Sequence, residues 1–331
     1  MSDGTGTGAG STRNTSSPFM LVSVIIPVFN RASTIKRAVE SVRRQTYRSI
    51  EIIVVDDGST DDTVAVLAGI LPAVHLIKQK NAGPSAARNT GIRASNGDII
   101  AFLDSDDEWL PAKIETQVRL MGGQSGNGTC CCICNATMLY ADGQTRTSYA
   151  TAGLTPTISE GIWFNADQVI TTRFLLFNQA IAIRRAALEA IGYFPETLRI
   201  MEDYDLALRL SKAGPWAFTR ESLVLWHGGA TNSLSATVRR SDLPQITYKI
   251  LADFCASPAA GTLVQSRPIR HRLFMLKHES QAIRLVDSAT KIKMWIGYTM
   301  LAFLRVYGIA SKFIIPMPPM KTRIHERVGQ A

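Results

Sequence analysis

The sequence predicts an α/β fold: a mostly parallel sheet flanked by helices, with a helical C-terminal extension. Three observations carry that prediction. Short apolar runs alternate with helix-like stretches through the first third of the chain. Three of those runs end in polar motifs, which a parallel sheet would bring to one edge. Finally, an apolar helix candidate, Met294 to Leu304, lies in a strongly basic tail.

The elements follow in order. Val22 to Val28 reads as a buried strand and leads into Phe29-Asn30. A helix-like stretch over 33–45 precedes a second strand, 50–55, which ends in Asp56-Asp57-Gly58-Ser59-Thr60. A helix over about 61–71 and a short strand at 74–77 come next. Pro84 opens a helix to Ala94, and Gly97 is the expected C-cap. Ile99 to Leu103 is the next buried strand and runs into Asp104-Ser105-Asp106-Asp107. Strand and helix alternating at this spacing give βαβ units and a sheet covered on both faces. Cys130, Cys131, Cys132 and Cys134 do not have zinc-site spacing. They fill a buried strand running toward Tyr140, with residues 141–144 as a hairpin turn, and a reduced cytoplasmic setting fits them.

Carboxylates crowded at a strand end repel one another unless a cation holds them. Hard oxygen ligands suit Mg²⁺ or Mn²⁺, and such a metal favours phosphate. A solvated acidic turn is the plainer reading of Asp104 to Asp107 alone, and a turn-former the plainer reading of Asp57. Glu202-Asp203 opens an apolar-periodic helix, where acids also suit the helix dipole. His227 follows an apolar run and precedes a Gly-rich loop over 228–233.

Taken together, five motifs resemble the inverting family 2 glycosyltransferases, whose fold is called GT-A. They are Val24-Ile25-Ile26-Pro27-Val28-Phe29-Asn30, Val55-Asp56-Asp57-Gly58-Ser59-Thr60-Asp61, Asn81 to Asn89, Phe102-Leu103-Asp104-Ser105-Asp106-Asp107, and Glu202-Asp203-Tyr204-Asp205-Leu206. The resemblance covers roughly residues 22–235. It implies that Pro27, Val28 and Phe29 wall a uridine pocket and that Asp57 meets the base. Arg88 would lie near the phosphates, Asp104 on the ribose and Asp106 on the metal. Asp203 becomes the catalytic base, Glu202 a supporting or acceptor-binding residue, and His227 a further metal-side residue whose loop closes over the donor. The implied partners are a nucleotide-sugar donor, expected to be a UDP-sugar, and a glycan or lipid-linked glycan acceptor of cell-envelope polysaccharide synthesis.

The implied domains are an extension at 1–19, a transferase domain at 20–235 (donor part 20–120, acceptor part 121–235) and a basic helical region at 236–331. Residues 1–19 are rich in Gly, Ser and Thr without an apolar core, which reads as disordered extension rather than secretory signal. The net charge of +9 belongs entirely to the tail: from Arg267 onward there are 12 Lys and Arg against 3 Asp and Glu, and the remainder holds 24 of each. Met294 to Leu304 is too short to span a bilayer. In a helix Lys291, Arg305 and Lys312 would share one side, which suits either an anionic membrane surface or a helix packed on the core with its basic side outward. The expected location is cytoplasmic, with peripheral contact at the inner face of the cell membrane. No nucleic-acid motif accompanies the basic charge. A nucleotidyltransferase, or an idle sugar-nucleotide-binding module of the same fold, remains as an alternative. The first strand leads into Pro27-Val28-Phe29-Asn30 with no G-x-G-x-x-G, which argues against a dinucleotide-binding dehydrogenase.

Overall fold

The computed structural model describes residues 20–70, 74–122, 128–173, 178–228, 239, 241–287, 291–314 and 320–323, with backbone alone at 291, 308–314 and 322–323. The extension at 1–19 and loop residues 229–233 lie outside them. β1 (Val22–Val28), β2 (Ile50–Asp56), β3 (His75–Lys78) and β4 (Ile99–Phe102) pair in parallel in the order β3-β2-β1-β4. They are joined by α1 (Ile35–Arg43), α2 (Thr63–Ala68) and α3 (Pro84–Ala94). Every residue of β1 and β4 is buried, as expected of strands covered on both faces.

Beyond β4 the sheet becomes mixed. β5 (Glu108–Trp109), α4 (Lys113–Leu120), β6 (Cys131–Leu139), β7 (Thr145–Thr147), α5 (Ser148–Thr151), β8 (Glu160–Trp163), α6 (Ala166–Ile170), β9 (Ile181–Arg184), α7 (Arg185–Ile191), α8 (Glu202–Leu210) and β10 (Trp216–His227) follow in the chain. β9 runs antiparallel between β4 and β6, whereas the long β10 is parallel to β6. The tail folds as α9 (Leu243–Ala256), α10 (Arg267–Val286) and α11 (Lys291–Ile314), and β11 (Thr322–Arg323) returns to the edge strand β8.

Two expectations change. Gly97 is not a helix cap: α3 ends at Ser95 in extended backbone (φ −92°, ψ 154°). A Cβ on Gly97 would fall 2.6 Å from the Ser23 amide nitrogen, so glycine is needed for close approach to β1. The apolar tail helix is also longer than Met294 to Leu304. It runs through Arg305 because an exposed arginine costs a helix almost nothing. Cys131, Cys132 and Cys134 lie buried in β6 and Cys130 is buried just before it, and Tyr140 and Gln144 close the predicted hairpin with a 3.0 Å main-chain bond.

A buried polar layer under the sheet was not foreseen. The Lys113 Nζ is buried, donates to Gln117 Oε1 at 2.8 Å and lies 3.8 Å from the centre of the Trp109 ring. Burial pushes its pKa down to about 8. Gln117 Nε2 in turn donates to the carbonyls of Cys132 and Ala180.

Candidate active site

The C-terminal ends of β1, β2 and β4 share one edge of the sheet, and the motifs at those ends are interlocked. Asn30 has φ 51°, a left-handed conformation that asparagine tolerates. Its amide donates to Ser59 Oγ and its Oδ1 accepts from the Thr60 amide at 2.8 Å, so the ends of β1 and β2 fix each other. Pro27 and Val28 are buried, whereas Phe29 is 43% exposed at the mouth of this edge. The Asp57 carboxylate is buried and accepts from Gln79 Nε2 (2.7 Å), the Ala82 amide (2.9 Å) and the Gly83 amide (2.8 Å). It therefore anchors the loop that starts α3, where Gly83 takes φ 91°.

α3 projects Arg88 into the interior. Its guanidinium donates to Glu202 Oε1 at 2.7 Å and to Asp104 Oδ1 at 2.8 Å, and lies over the Phe194 ring. Despite burial, these two carboxylates raise its pKa further. A single buried cation thus joins the end of β4 to the first turn of α8, residues 114 positions apart in sequence at the Glu202 contact.

The acidic run divides its work. Asp104 and Asp106 keep part of their carboxylates open to solvent. Asp106 lies 3.5 Å from Arg31 Nε, and its carbonyl accepts from Arg37 at 2.5 Å. Asp107 is buried, accepting from the His227 amide at 2.8 Å and from Gln179 Nε2 at 2.6 Å, and so fastens the end of β10 to the run. Glu108 pairs with His227 Nε2 at 2.9 Å and with Arg37 Nε at 3.2 Å. Burial first, then the neighbouring Asp104, lift the carboxyls of Asp106 and Asp107 above the ordinary carboxylate range, against the pull of nearby arginines.

That crowding bears on a metal. Asp104 and Asp106 offer part-exposed hard oxygens whose mutual repulsion a divalent cation would relieve, and Mg²⁺ or Mn²⁺ needs only one or two protein carboxylates. The donor chemistry fits. No group of three or more His, Cys, Asp and Glu side chains suited to a metal occurs among the described residues.

α8 begins under strain: Met201, its N-cap, has φ 61°, a costly conformation for a non-glycine residue. The turn places Glu202 on Arg88 and leaves Asp203 half-buried, its Oδ1 accepting from the Tyr204 amide at 2.8 Å. Burial and the adjacent Glu202 hold the Asp203 carboxyl well above the usual range, with Arg88 opposing. A cleft of about 680 Å³ lies beside this turn, lined by residues 197–200 and by α9 and α10.

Sequence reasoning missed the Arg31 and Arg37 contacts and the structural burden on Asp107 and Glu108. Nothing in Asp-Ser-Asp-Asp-Glu distinguishes the buried acid from the open ones. Their division depends on β10, which arrives from over a hundred residues away.

Comparison with known proteins bears on the family and the fold. An uncharacterized glycosyltransferase of Rickettsia typhi, RT0329, is 30% identical over 217 residues, covering 64% of each chain. YibD of Escherichia coli K12, also an uncharacterized glycosyltransferase, is 42% identical over 102 residues, 30% of each chain. The chain spans less than two thirds of the length of such relatives. Among solved structures, Staphylococcus aureus TarS 1–349 in complex with UDP-GlcNAc superposes with TM-score 0.59 at 17% identity, over 82% of this chain and 74% of that one. The mannosyltransferase PcManGT of Pyrobaculum calidifontis, in complex with GDP-Man and Mn²⁺, gives 0.52 at 19% identity, over 90% and 82%. These likenesses show a GT-A-type fold. Residues 23–190, just over half of the 331, match the family model for Glycosyl transferase family 2, and the chain belongs to that family.

Proposed function

We propose that this protein transfers a sugar from a nucleotide sugar, a UDP-sugar, to a hydroxyl of a glycan or lipid-linked glycan, with inversion at the anomeric carbon. The observation that carries the reading is Arg88 clamping Asp104 and Glu202 together. It unites a part-exposed carboxylate pair, suited to a metal-bound diphosphate, with the acidic turn that holds Asp203. The structural neighbours bound to UDP-GlcNAc and to GDP-Man with Mn²⁺ support a sugar-nucleotide donor and a divalent metal. In this reading 20–235 is the transferase unit and 236–331 its helical extension.

Phe29, exposed beside buried Pro27 and Val28, supplies an apolar wall against which a base stacks. Asp57 has three of its acceptor positions filled, so its share in base recognition is one remaining lone pair and the rigid loop it holds. Asp104 takes the ribose side. Arg88 positions Asp104 and Glu202 on the proposed phosphate side; its Nε is buried without a hydrogen-bond partner among the described residues, and would meet a phosphate oxygen only if the clamp shifts.

Asp106, with Asp104 beside it, would hold Mg²⁺ or Mn²⁺, which when bound supplies positive charge against the departing diphosphate. His227 is the proposed nitrogen ligand next to them; its Nε2 is paired with Glu108 at 2.9 Å, which leaves Nδ1 as the nitrogen for a metal while that pair is intact. Asp203 accepts the proton of the acceptor hydroxyl. A carboxylate with a raised pKa is the stronger base once ionised, which suits this step. Glu202, neutralised by Arg88, keeps the turn in place. A single displacement needs no second catalytic carboxylate, unlike retaining glycoside hydrolysis.

The test is thermal protection by a panel of nucleotide sugars with Mn²⁺. A UDP-sugar at a hundred times its Kd should stabilise the fold by about 2.7 kcal/mol. If no nucleotide sugar shifts the melting temperature, the donor assignment is wrong.

A further inference from the structure

From the packing of α10 and α11 we infer a docking surface for an anionic lipid bilayer, formed jointly by the two helices and separate from the transferase site. Ten large apolar side chains are strongly exposed among the described residues, and seven of them belong to α11. Six of the seven, Ile292, Trp295, Ile296, Phe303, Val306 and Tyr307, fall within about 120° of one another at the helical repeat. Trp295 is 69% and Phe303 63% exposed, so the face is not the seam of a domain core.

The opposite side of α11 is already committed. Gly297 approaches α10 so closely that a Cβ there would lie 2.6 Å from the Val286 amide nitrogen, and Leu304 is buried nearby. The helices form an antiparallel hairpin, and α11 is apolar on both its inner and outer sides. A solvated surface helix should be polar on its outer side; this one is not. Exposed Lys293 and Arg305 flank the apolar stripe.

α10 supplies the charge. Arg267, Arg270, Lys277 and Arg284 recur at intervals of 3, 7 and 7 and are all exposed, which makes a basic row along one face. Phe274 sits within that row and meets Tyr307 of α11 at 5.9 Å between ring centres, while Tyr307 stacks on Phe303. The aromatic contacts thus splice the basic row to the apolar stripe.

An apolar stripe beside a cationic row matches one partner chemistry, a lipid surface with negative headgroups. A second copy of this chain would set basic row against basic row or leave the row unpaired. No described helix is long and apolar enough to cross a membrane, so the geometry points to a helix pair lying in the interface. The cleft beside residues 197–200 is lined in part by Lys277 and Arg284 of the same row. The surface would therefore present the acceptor side of the proposed active site to the membrane, a corollary that rests on the proposed function, whereas the docking itself does not.

Co-sedimentation of the full chain with vesicles tests this. Phosphatidylglycerol vesicles at low salt should bring down the protein, phosphatidylcholine vesicles should not, and added salt should release part of it. The double variant Trp295→Glu/Phe303→Glu should stay in the supernatant. Arg270→Glu/Lys277→Glu should bind at least about tenfold more weakly. Both variants alter exposed side chains, and unchanged thermal melts and circular dichroism would confirm their fold. Wild-type protein that ignores phosphatidylglycerol at low salt would overturn the inference. So would folded variants that bind as wild type does, or a wild-type dimer in sedimentation velocity that Trp295→Glu/Phe303→Glu dissociates without any change in lipid binding. Sugar transfer is not read in any of these arms, so a failed transferase assignment would leave them standing.

Discussion

Asp203 is held between two demands: burial and Glu202 disfavour its charge, and the proposed chemistry needs that charge. Asp203→Asn should lower kcat by on the order of 10²- to 10⁴-fold and leave donor affinity nearly unchanged. Because the carboxyl titrates above the ordinary range, wild-type rates should climb with pH along an acid limb set above that range, and the limb should vanish in the residual activity of the variant. Removing a disfavoured carboxylate should also leave the melting temperature equal or higher at neutral pH, and a large drop would contradict this balance. Lys113 gives a second pH signature. Its pKa of about 8 in the folded state lies below that of an unfolded lysine, so the unfolded chain binds more protons between about pH 8 and 10.5. This group's contribution therefore favours folding more as pH rises through that window, by roughly 3 kcal/mol in all. Chemical denaturation of Lys113→Met and wild type at pH 7 and 10.5 should show the variant's relative stability falling as pH rises. A constant difference would mean that burial does not lower the pKa of Lys113 relative to the unfolded chain.

At the scale of elements, α3 is the part that joins sheet to site. Gly91 lets it settle on β1 and β2: a Cβ there would meet Ile25 Cγ2 at 2.5 Å and Val55 Cγ2 at 3.3 Å. Gly91→Ala should therefore destabilise by about 1–3 kcal/mol in urea unfolding, although alanine is the better helix former. One turn earlier, Arg88→Ala would leave Asp104 and Glu202 without their shared cation, at a cost of about 3–5 kcal/mol. Unfolding midpoints close to wild type would show that the clamp does not hold the two halves. These elements were legible to different degrees. Pro84 and the run to Ala94 announced α3, and apolar runs between polar motifs announced β1, β2 and β4, because such strands are buried on both faces. The partners of Arg88 were not legible, since Glu202 is brought to it only by the long path through β6 to α8. Gly97 was misread for a related reason: a cap is a local property, whereas close approach to Ser23 belongs to the packed sheet. The full length of α11 was hidden by reading Arg305 as an interruption, when a charged side chain on an exposed flank interrupts nothing.

For the whole molecule, the sheet divides labour. Its parallel half builds the edge proposed to bind the donor, and the mixed half carries β10 and α8 back to that edge through Asp107, Glu108 and Arg88. The motifs of the candidate site were visible in sequence because each ends a strand or opens a helix, while their interlocking depended on contacts distant in the chain. In the proposed mechanism one site joins a metal-dependent donor carboxylate to a separate catalytic base. The most direct measurement is the release of nucleoside diphosphate from a UDP-sugar with Mn²⁺, made alongside calorimetric donor affinity, for wild type, Asp106→Ala and Asp203→Asn. Wild type should turn over, Asp203→Asn should be slower by on the order of 10²- to 10⁴-fold, and Asp106→Ala should show no Mn²⁺-dependent turnover. Asp203→Asn should still bind the donor, and Asp106→Ala should lose the Mn²⁺-dependent part of its affinity. Equal turnover by all three proteins would contradict this mechanism.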